Sequence, residues 1–291
     1  MTNSESCENR YTSASNMDEA KKIMVEILDE FVRICKKYDL DYWLDSGTLL
    51  GAYRHGGFIP WDDDIDVGMP REDYEKFLKV AGEELDDCYF LQTADTDPGY
   101  FYKSIPCKIR RNGTKYIEKL DVENGFPYQL SHCGIYIDVF PFDRYAVRSA
   151  SDLFLKKIFS KLYLAYKLSH VRSNFPFGLK KIILYLVSLL PGRFFERALR
   201  ALINRSLRLP PTRNDVYYAH GYELPIFGAK MKYEDLYPLK SIVFEGKDYL
   251  SPNNVKKYLE AHYGDSFMTL PPESERVSHA FSIDVNRALD L

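Results

Sequence analysis

The chain has 291 residues, with 39 Lys and Arg against 42 Asp and Glu and a formal net charge of −3. Hydrophobic residues make up 45% and charged residues 28% of it, which is ordinary for a globular protein and excludes wholesale disorder, collagen and low-complexity chains. Five scattered cysteines without a C-x-x-C pair argue against a disulfide framework and a zinc finger and favour a reducing compartment.

Apolar periodicity predicts the elements of the first part of the chain. A polar tail over residues 1–16, which we expect to be disordered, ends at a capping box formed by Asn16 and Glu19. The predicted elements that follow are a helix over 17–38, a strand over 41–44, helical turns over 48–53, a strand over 65–69, and a helix from Pro70 to about residue 85. Pro70 suits the first helical position because the amide there has no partner within the helix.

Further strands are predicted next, and helices after them. Asn112-Gly113 is typical of a tight turn and predicts a hairpin between strands over 102–110 and 114–117. The remaining predicted elements are a strand over 135–140, helices over 151–171, 179–190 and 191–208, and a last helix over 253–263. Ser251 and Pro252 are expected to cap the start of that last helix.

Strands come early in this order and helices late, which favours an α+β fold over a doubly wound α/β fold. Neither G-x-G-x-x-G nor G-x-x-x-x-G-K-[ST] occurs, which argues against Rossmann and P-loop nucleotide sites. We divide the chain into the tail over 1–16, a core over 17–147, a basic and mainly helical segment over 148–213, and a C-terminal part over 214–291.

The segment 148–213 contains 14 basic and two acidic residues, so the rest of the chain is strongly acidic. Its longest apolar stretch, 182–190, has nine residues, whereas a membrane span needs about 20, so we expect no transmembrane helix there. One face of the predicted helix 191–208 is polar and mostly basic, with Arg193, Arg197, Arg200, Asn204 and Arg208. Two interpretations stay open: the face contacts an anionic bilayer or acceptor, or it is the solvated side of a helix that covers the sheet.

Four carboxylates lie within positions 62–66. Like charges at short range cost energy and raise pKa values, and a divalent cation among them would relieve the repulsion. In a strand, side chains two positions apart point the same way, so Asp62, Asp64 and Asp66 share one face. Oxygen ligands suit Mg²⁺ or Mn²⁺, which also take phosphate oxygens as ligands. A solvated acidic loop is the alternative, most of all for Asp62 and Asp63.

Two further features can complete a phosphate site beside these acids. Asp138 alternates with apolar residues in a predicted strand, so it would face a cleft if those residues face the core. On a neighbouring strand its carboxylate would join the metal site. Ser46, Gly47 and Thr48 lie between a strand and a helix, where backbone amides and a hydroxyl can form an anion site.

The sequence from Leu44 to Gly68, LDSGTLLGAYRHGGFIPWDDDIDVG, closely resembles the signature of the LicD family, phosphocholine-type transferases related to fukutin and fukutin-related protein. Further matching stretches are PREDYEKF at 70–77, IDVFPFD at 137–143, and YLEAHYGD at 258–265 with Pro271, Pro272 and His279. The resemblance covers about residues 42–142 and 257–279. The segment 148–213 carries no motif that we can assign.

The resemblance implies a nucleotidyltransferase-like mixed sheet flanked by helices, with 17–147 as the catalytic core and 214–291 completing the active site. The family's metal and catalytic roles then fall on Asp64, Asp66 and Asp138, and its turn on Ser46, Gly47 and Thr48. The implied reaction moves a phospho-alcohol, phosphocholine above all, from a CDP-activated donor to a hydroxyl of a cell-surface glycan and releases CMP. The expected cofactor is Mg²⁺, with Mn²⁺ as the alternative. No zinc is expected, because a Cys cluster is missing.

Other residues are candidates for substrate binding. These are Arg54, Lys103 and Lys108 for the phosphates, Trp61 as an aromatic face for choline, and His279 by its family position. For each of them a surface or core role is the alternative.

We expect a CDP-alcohol donor such as CDP-choline, a glycan acceptor that is free or lipid-linked, and no nucleic-acid partner. The expected location is the cytoplasm or the inner face of the membrane. Two other functions stay open: a nucleotidyltransferase that attacks the α-phosphorus of a nucleotide, and a non-catalytic module that binds a nucleotide or metal.

Overall fold

A mixed six-stranded sheet lies at the centre of the computed structural model, which describes residues 14–146, 150–171, 174–175, 178–226 and 230–286. The strands in chain order are β1 (Trp43–Leu44), β2 (Asp66–Pro70), β3 (Tyr89–Gln92), β4 (Lys108–Arg111), β5 (Lys115–Glu118), β6 (Tyr136–Ala146), β7 (Val216–His220), β8 (Lys240–Phe244), β9 (Lys247–Ser251) and β10 (Ala280–Asp284). The central sheet has the order β1-β2-β6-β4-β3, and β7 pairs with the C-terminal half of β6. Strands β2 and β6 are parallel, and the other neighbours are antiparallel.

Helices cover this sheet and form the segment that follows β6. They are α1 (Ala14–Tyr38), α2 (Ser46–His55), α3 (Arg71–Glu84), α4 (Lys119–Glu123), α5 (Ala150–Ser169), α6 (Leu179–Ser188), α7 (Gly192–Leu207), α8 (Tyr233–Leu236) and α9 (Val255–Tyr263). Helix α1 buries the apolar stripe that its periodicity predicts, including Ile23, Ile27 and Phe31. Phe31 meets Phe77 of α3 edge to face, with ring centroids 5.1 Å apart, so α1 and α3 pack against one another.

The largest hydrophobic core runs from Ala20 to Ile283 in sequence. Residues of the predicted core segment and of the C-terminal part therefore share one interior. The helical segment joins through two smaller clusters. In one of them Leu184 of α6 packs with Tyr102 and Phe126. In the other, Leu199 and Leu202 of α7 pack against the cluster that contains Tyr145.

A buried ion-pair network closes the C-terminal end of β2. The guanidinium of Arg71 donates to both carboxylate oxygens of Asp143, each at 2.9 Å, and to Glu223 at 2.8 and 2.9 Å. All three side chains are almost fully buried. Arg71 thus ties the start of α3 to β6 and to the loop after β7.

Several predicted element boundaries were wrong. Residues 1–13 of the predicted tail lie outside the described residues, and α1 already begins at Ala14, so Asn16 is inside the helix and not its cap. Pro70 ends β2, and α3 begins one residue later. Helix α9 begins at Val255 after its N-cap Asn254, whose side chain accepts from Lys257 N at 3.1 Å, so Ser251 and Pro252 precede the cap.

The predicted hairpin was also wrong. Only 108–110 of the predicted strand 102–110 belongs to a strand, β4. Strand β5 pairs with β10 at the far end of the sequence instead of with β4. The physical reason is that β4 already has a neighbour on each side, β3 and β6. Both of its edges are therefore occupied.

The predicted order, with strands early in the chain and helices late, was only partly correct, because strands β7 to β10 all follow residue 213. The fold class is nevertheless α+β, with a mixed sheet flanked by helices, as the sequence predicts. Across the described ranges, no helix combines the length and the apolar character that crossing a bilayer requires.

Candidate active site

Three carboxylates meet where β2 and β6 run side by side. Asp66 is the first residue of β2, and Asp138 lies opposite it in the parallel register. Asp64 precedes this strand by two residues, and oxygens of Asp64, Asp66 and Asp138 all lie within 4.8 Å of one another. Asp138 is buried and the other two are half-buried. The structure thus brings together the acids that the sequence singles out from two separate stretches.

Burial and mutual repulsion hold the pKa values of these carboxyl groups above the ordinary value. Burial, helped by the charge of Asp62, raises the pKa of Asp64 to about 7. Burial and the charges of Asp64 and Asp138 raise the pKa of Asp66 well above its usual range. Burial raises the pKa of Asp138 to about 6, although Lys108 acts in the opposite direction. The cluster therefore carries more negative charge than the surrounding groups neutralise.

This set of donors fits a hard divalent cation. Carboxylate oxygens are the ligands that Mg²⁺ and Mn²⁺ prefer, and a cation among them would favour the ionised form that burial disfavours. A second group, Asp63, Asp64 and His279, also has its ligand atoms within 4.8 Å of one another. There Asp63 is already engaged by several hydrogen-bond donors of the C-terminal part. Asp64, Asp66 and Asp138 are therefore the better candidate metal ligands.

Lys108 of β4 is a buried cation in contact with this cluster. Its Nζ lies 2.7 Å from Asp138 Oδ1, 3.3 Å from Glu118 Oε1, and 3.3 Å from the centroid of the Tyr136 ring. Glu118 in turn contacts the Nζ of Lys103 at 2.7 Å. Lys108 is thus a direct neighbour of the carboxylates, whereas Lys103 is one ion pair further away.

Two adjoining clefts open beside the cluster. The first, of about 540 Å³, is lined by Asp64, Lys108, Glu118, Tyr136, Asp138 and His279, among others. The second, of about 340 Å³, has four aromatic residues in its wall, Tyr100, Tyr102, Phe126 and Phe175, together with aliphatic and charged residues that include Lys103. Lys108 and Glu118 line both clefts, so a ligand that extends from the carboxylates into the second cleft would pass these two side chains.

The turn at the start of α2 lies against β2 at the carboxylate cluster. Thr48 is buried, and its Oγ1 accepts a hydrogen bond from Asp66 N at 2.8 Å. The hydroxyl thus fixes the turn against β2, and substrate binding by Thr48 stays a prediction. A Cβ at Gly47 would lie 2.8 Å from Asp62 Oδ2, so a larger residue there would displace the Asp62 side chain. Ser46 and Gly47 lie in the first turn of α2, where backbone amides favour an anion.

Asp45 holds this turn in place through hydrogen bonds. It is fully buried, and its carboxylate accepts hydrogen bonds from Ser46 N at 2.8 Å, from His220 Nε2 at 3.0 Å, and from the Tyr258 hydroxyl. Burial alone would raise the pKa of Asp45, but its interactions, above all with His220, outweigh burial and lower it to about 2. Asp45 therefore connects the motif to β7 and α9 and positions the turn.

Asp63 anchors the segment that leads into β10. It accepts hydrogen bonds from Ala280 N at 2.8 Å, from the Ser278 hydroxyl, and from His279 at 3.2 Å. The hydrogen bond to Asp63 raises the pKa of His279 to about 9. His279 is therefore a cation at neutral pH, and its side chain is 65% exposed in the wall of the first cleft.

Two predicted substrate-binding residues line neither cleft. Arg54 donates to Phe267 O at 3.1 Å and contacts His55 at 2.9 Å. The Trp61 ring lies under the guanidinium of Arg276, 4.8 Å from the ring centroid. Both side chains therefore have partners within the protein, and the structure does not bring them to the carboxylate cluster.

Comparison with known proteins identifies the domain that carries these acids. Residues 39–164 match the family described as LicD/FKTN/FKRP, nucleotidyltransferase domain. The chain carries a LicD-family domain. Over 272 residues it is 28% identical to the lipopolysaccharide cholinephosphotransferase LicD of Haemophilus influenzae. This alignment covers 90% of this chain and 94% of that protein. The resemblance drawn from the motifs is confirmed.

Shorter stretches are similar to two mammalian transferases. One stretch of 43 residues is 51% identical to the human ribitol 5-phosphate transferase FKRP, covering 15% of this chain and 9% of that protein. Another of 64 residues is 36% identical to the mouse ribitol-5-phosphate transferase FKTN, covering 22% and 14%. These matches concern a small part of each protein.

The LicD-family domain contains the three clustered carboxylates, but residues outside it support the site. His220, Tyr258 and His279 all come from the C-terminal part of the chain, beyond the matched range. Ion pairs and hydrogen bonds formed by the motif acids bring these residues to the domain. A site built by residues 39–164 alone would lack the side chains that hold Asp45 and Asp63.

Sequence reasoning missed three residues at or near the site. Glu118 and His220 are isolated in sequence, and nothing in the local pattern marks them. Tyr263 ends α9 near the cluster, where burial and the charges of Asp66 and Asp45 raise its pKa. Tyr263 lies within the YLEAHYGD stretch, so the family resemblance could have identified it.

Proposed function

We propose that this protein is a phosphotransferase that moves a phospho-alcohol from a CDP-activated donor to a hydroxyl of a cell-surface glycan and releases CMP. The observation that carries the proposal is the convergence of Asp64, Asp66 and Asp138 beside an open cleft in a LicD-family domain. Phosphocholine is the favoured group, because the relative that is similar along most of the chain is named a cholinephosphotransferase.

Asp64, Asp66 and Asp138 are the residues that would hold Mg²⁺, with Mn²⁺ as the alternative. When bound, such an ion would neutralise charge on the donor diphosphate and on the departing CMP. Lys108 orients Asp138 through its contact with Oδ1. The Ser46 amide donates to Asp45, so the amides of Gly47 and Thr48 are the ones that would face donor phosphate oxygens.

In the proposed step the glycan hydroxyl attacks the distal phosphorus of the donor. An oxygen–phosphorus bond forms to the acceptor, the bond between that phosphorus and the bridging oxygen breaks, and the bridging oxygen leaves with CMP. Asp138 accepts the hydroxyl proton, since it lines the cleft and lies on the strand next to the other two acids. The cationic His279 in the wall of the cleft would attract the anionic donor.

The aromatic cleft beside the carboxylates would receive the alcohol part of the donor. Tyr100, Tyr102 and Phe126 supply ring faces there, which suit a quaternary ammonium. Lys103 has its Nζ 5.7 Å from the centroid of the Tyr102 ring. Lys180 has its Nζ 4.2 Å from the centroid of the Phe175 ring, so the cleft already holds two cations against aromatic rings.

The experiment is an assay of CMP release with the purified chain, Mg²⁺ and a panel of CDP-alcohols. We expect CDP-choline to give the fastest release, and Asp64→Asn, Asp66→Asn and Asp138→Asn each to reduce it by at least about a hundredfold. Asp87→Asn is the matched control, since Asp87 is exposed. No CMP from any CDP-alcohol would refute the proposal. Pyrophosphate release from a nucleoside triphosphate would favour attack at the α-phosphorus instead.

A further inference from the structure

Helices α5, α6 and α7 expose large apolar side chains to solvent. On α5 these are Phe154, Leu155, Ile158 and Leu162, with exposed fractions of 39–62%. On α6, the turn after it and the start of α7 they are Leu179, Ile182, Ile183, Tyr185, Leu186, Leu189, Leu190 and Phe194, with exposed fractions of 41–74%. We call these twelve side chains the α5–α7 surface. Soluble chains rarely expose so many large apolar groups on neighbouring elements.

Helix α6 shows most clearly that one side of the helix is buried and that the exposed apolar residues lie on the other side. Leu184 and Val187 are buried and hold the helix against the rest of the protein. The exposed residues of α6 recur at the spacing of one helix face, as Leu179, Ile182 and Leu186 do. An ordinary surface helix turns polar residues outward, whereas α6 turns apolar ones outward.

Helix α5 has the same organisation. Phe154, Ile158 and Leu162 follow one another at intervals of four residues on its exposed side, and Ser160 is buried on the other. Helices α5 and α6 pack against each other. Their outward sides therefore belong to neighbouring parts of one surface.

Basic side chains accompany the apolar ones. Lys157, Lys161, Lys180, Arg193 and Arg197 are all exposed, and none has an ion-pair partner among the residues that the structure describes. Arg200 and Arg205 differ, because they contact Glu75 and Asp152. Exposed basic side chains without ion-pair partners in the described ranges thus accompany the exposed apolar residues on these helices.

We propose that the α5–α7 surface docks on the face of an anionic lipid bilayer. Apolar side chains between long basic ones are what an interfacial helix needs, since the apolar groups enter the headgroup boundary while lysine and arginine contact anionic lipids. Charge complementarity selects this partner over a neutral apolar one. The proposal is independent of the transfer reaction, because none of the twelve apolar side chains of this surface lines either cleft.

The test is flotation of the full-length protein with vesicles. We expect binding to vesicles of phosphatidylcholine with phosphatidylglycerol, weaker binding to phosphatidylcholine alone, and loss of binding as salt is raised. Phe154→Ser/Leu186→Ser should weaken partitioning by at least about tenfold, because two apolar groups no longer enter the boundary. Lys157→Gln/Lys161→Gln should weaken it on anionic vesicles only.

Val243→Ser/Met268→Ser is the matched control, since both side chains are half exposed and lie outside this surface. It should bind like the wild type, and far-UV circular dichroism should show every variant folded. The proposal is overturned if the wild type does not float with anionic vesicles, or if the control loses as much binding as Phe154→Ser/Leu186→Ser. It is also overturned if Phe154→Ser/Leu186→Ser abolishes self-association in sedimentation while leaving vesicle binding unchanged.

Discussion

Replacing Asp64 by asparagine should stabilise the protein when no divalent cation is present, although it removes a proposed metal ligand. Asparagine keeps the shape of the side chain and removes one negative charge from the cluster. The pKa of Asp64 is about 7 in the folded protein, against 3.8 for an ordinary aspartate. Because the folded-state pKa is the higher one, stability falls as pH rises from about 4 through about 7. The substitution removes this loss.

The structure sets the size of the effect. A tenfold change in an acid constant corresponds to about 1.4 kcal/mol, so the difference between the two pKa values corresponds to about 4 kcal/mol. Asp64 is half-buried, and its contact with water screens part of that energy. We therefore expect a gain of about 2 kcal/mol at pH 8, or about 5 °C in Tm. At pH 5 the gain should fall to about 1 kcal/mol, because Asp64 is then mostly protonated in the folded protein but still mostly ionised in the unfolded chain.

Thermal unfolding in the presence of a chelator, at pH 5 and at pH 8, measures this gain. The wild type, Asp64→Asn and the exposed-site control Asp87→Asn are compared. Adding Mg²⁺ at pH 8 should raise the Tm of the wild type and of the control but change that of Asp64→Asn much less. The difference between wild type and variant should then shrink.

Two results would show that the reasoning about charge is wrong. One is an Asp64→Asn protein that is less stable than the wild type at pH 8 without metal, which would mean that Asp64 is held by favourable contacts. The other is an equal Mg²⁺ response in both proteins, which would place the ion elsewhere.

Three further predictions concern buried charges around the site. Arg71→Met should lower the free energy of unfolding in urea by about 3–5 kcal/mol, because two buried carboxylates lose their cation; a loss below about 1 kcal/mol would contradict this. Asp45→Asn should cost about 1–3 kcal/mol at pH 7. Since its pKa is lowered to about 2, the cost should shrink as pH falls below about 4, and a pH-independent cost would count against the assignment. Lys108→Met should raise the pKa of Asp138 and so move the acidic limb of the pH–rate profile for CMP release to higher pH. An unchanged limb would show that Lys108 does not control the titration of Asp138.

Local patterns were sufficient to find the carboxylate cluster. The run of acids from Asp62 to Asp66 conflicts with a simple stable fold, and that conflict points to a ligand. Strand alternation separates Asp64 and Asp66 from Asp63, and the structure gives Asp63 different partners. Asp138 could be added because it is a single acid in an apolar strand.

Long-range pairing could not be predicted in the same way. The Asn112-Gly113 turn exists, with Gly113 at a φ of 70°, yet the strand after it pairs with β10. Which strand has a free edge depends on the whole sheet, and no local window contains that information. Thr48 illustrates the same limit, since the hydrogen bond that its hydroxyl accepts from Asp66 N depends on how α2 packs on β2 and is not visible in the local sequence.

The acids of the motif form two groups with different structural roles. Asp64 and Asp66 face Asp138 and remain incompletely neutralised, whereas Asp45 and Asp63 are saturated by hydrogen bonds from the C-terminal part. The saturated pair draws β7, α9 and the segment before β10 onto the core, and this brings His279 to the cleft. A motif of this kind therefore encodes both the proposed metal site and the assembly that surrounds it. Substitution of Asp45 or Asp63 should consequently damage the site through structure, without removing a metal ligand.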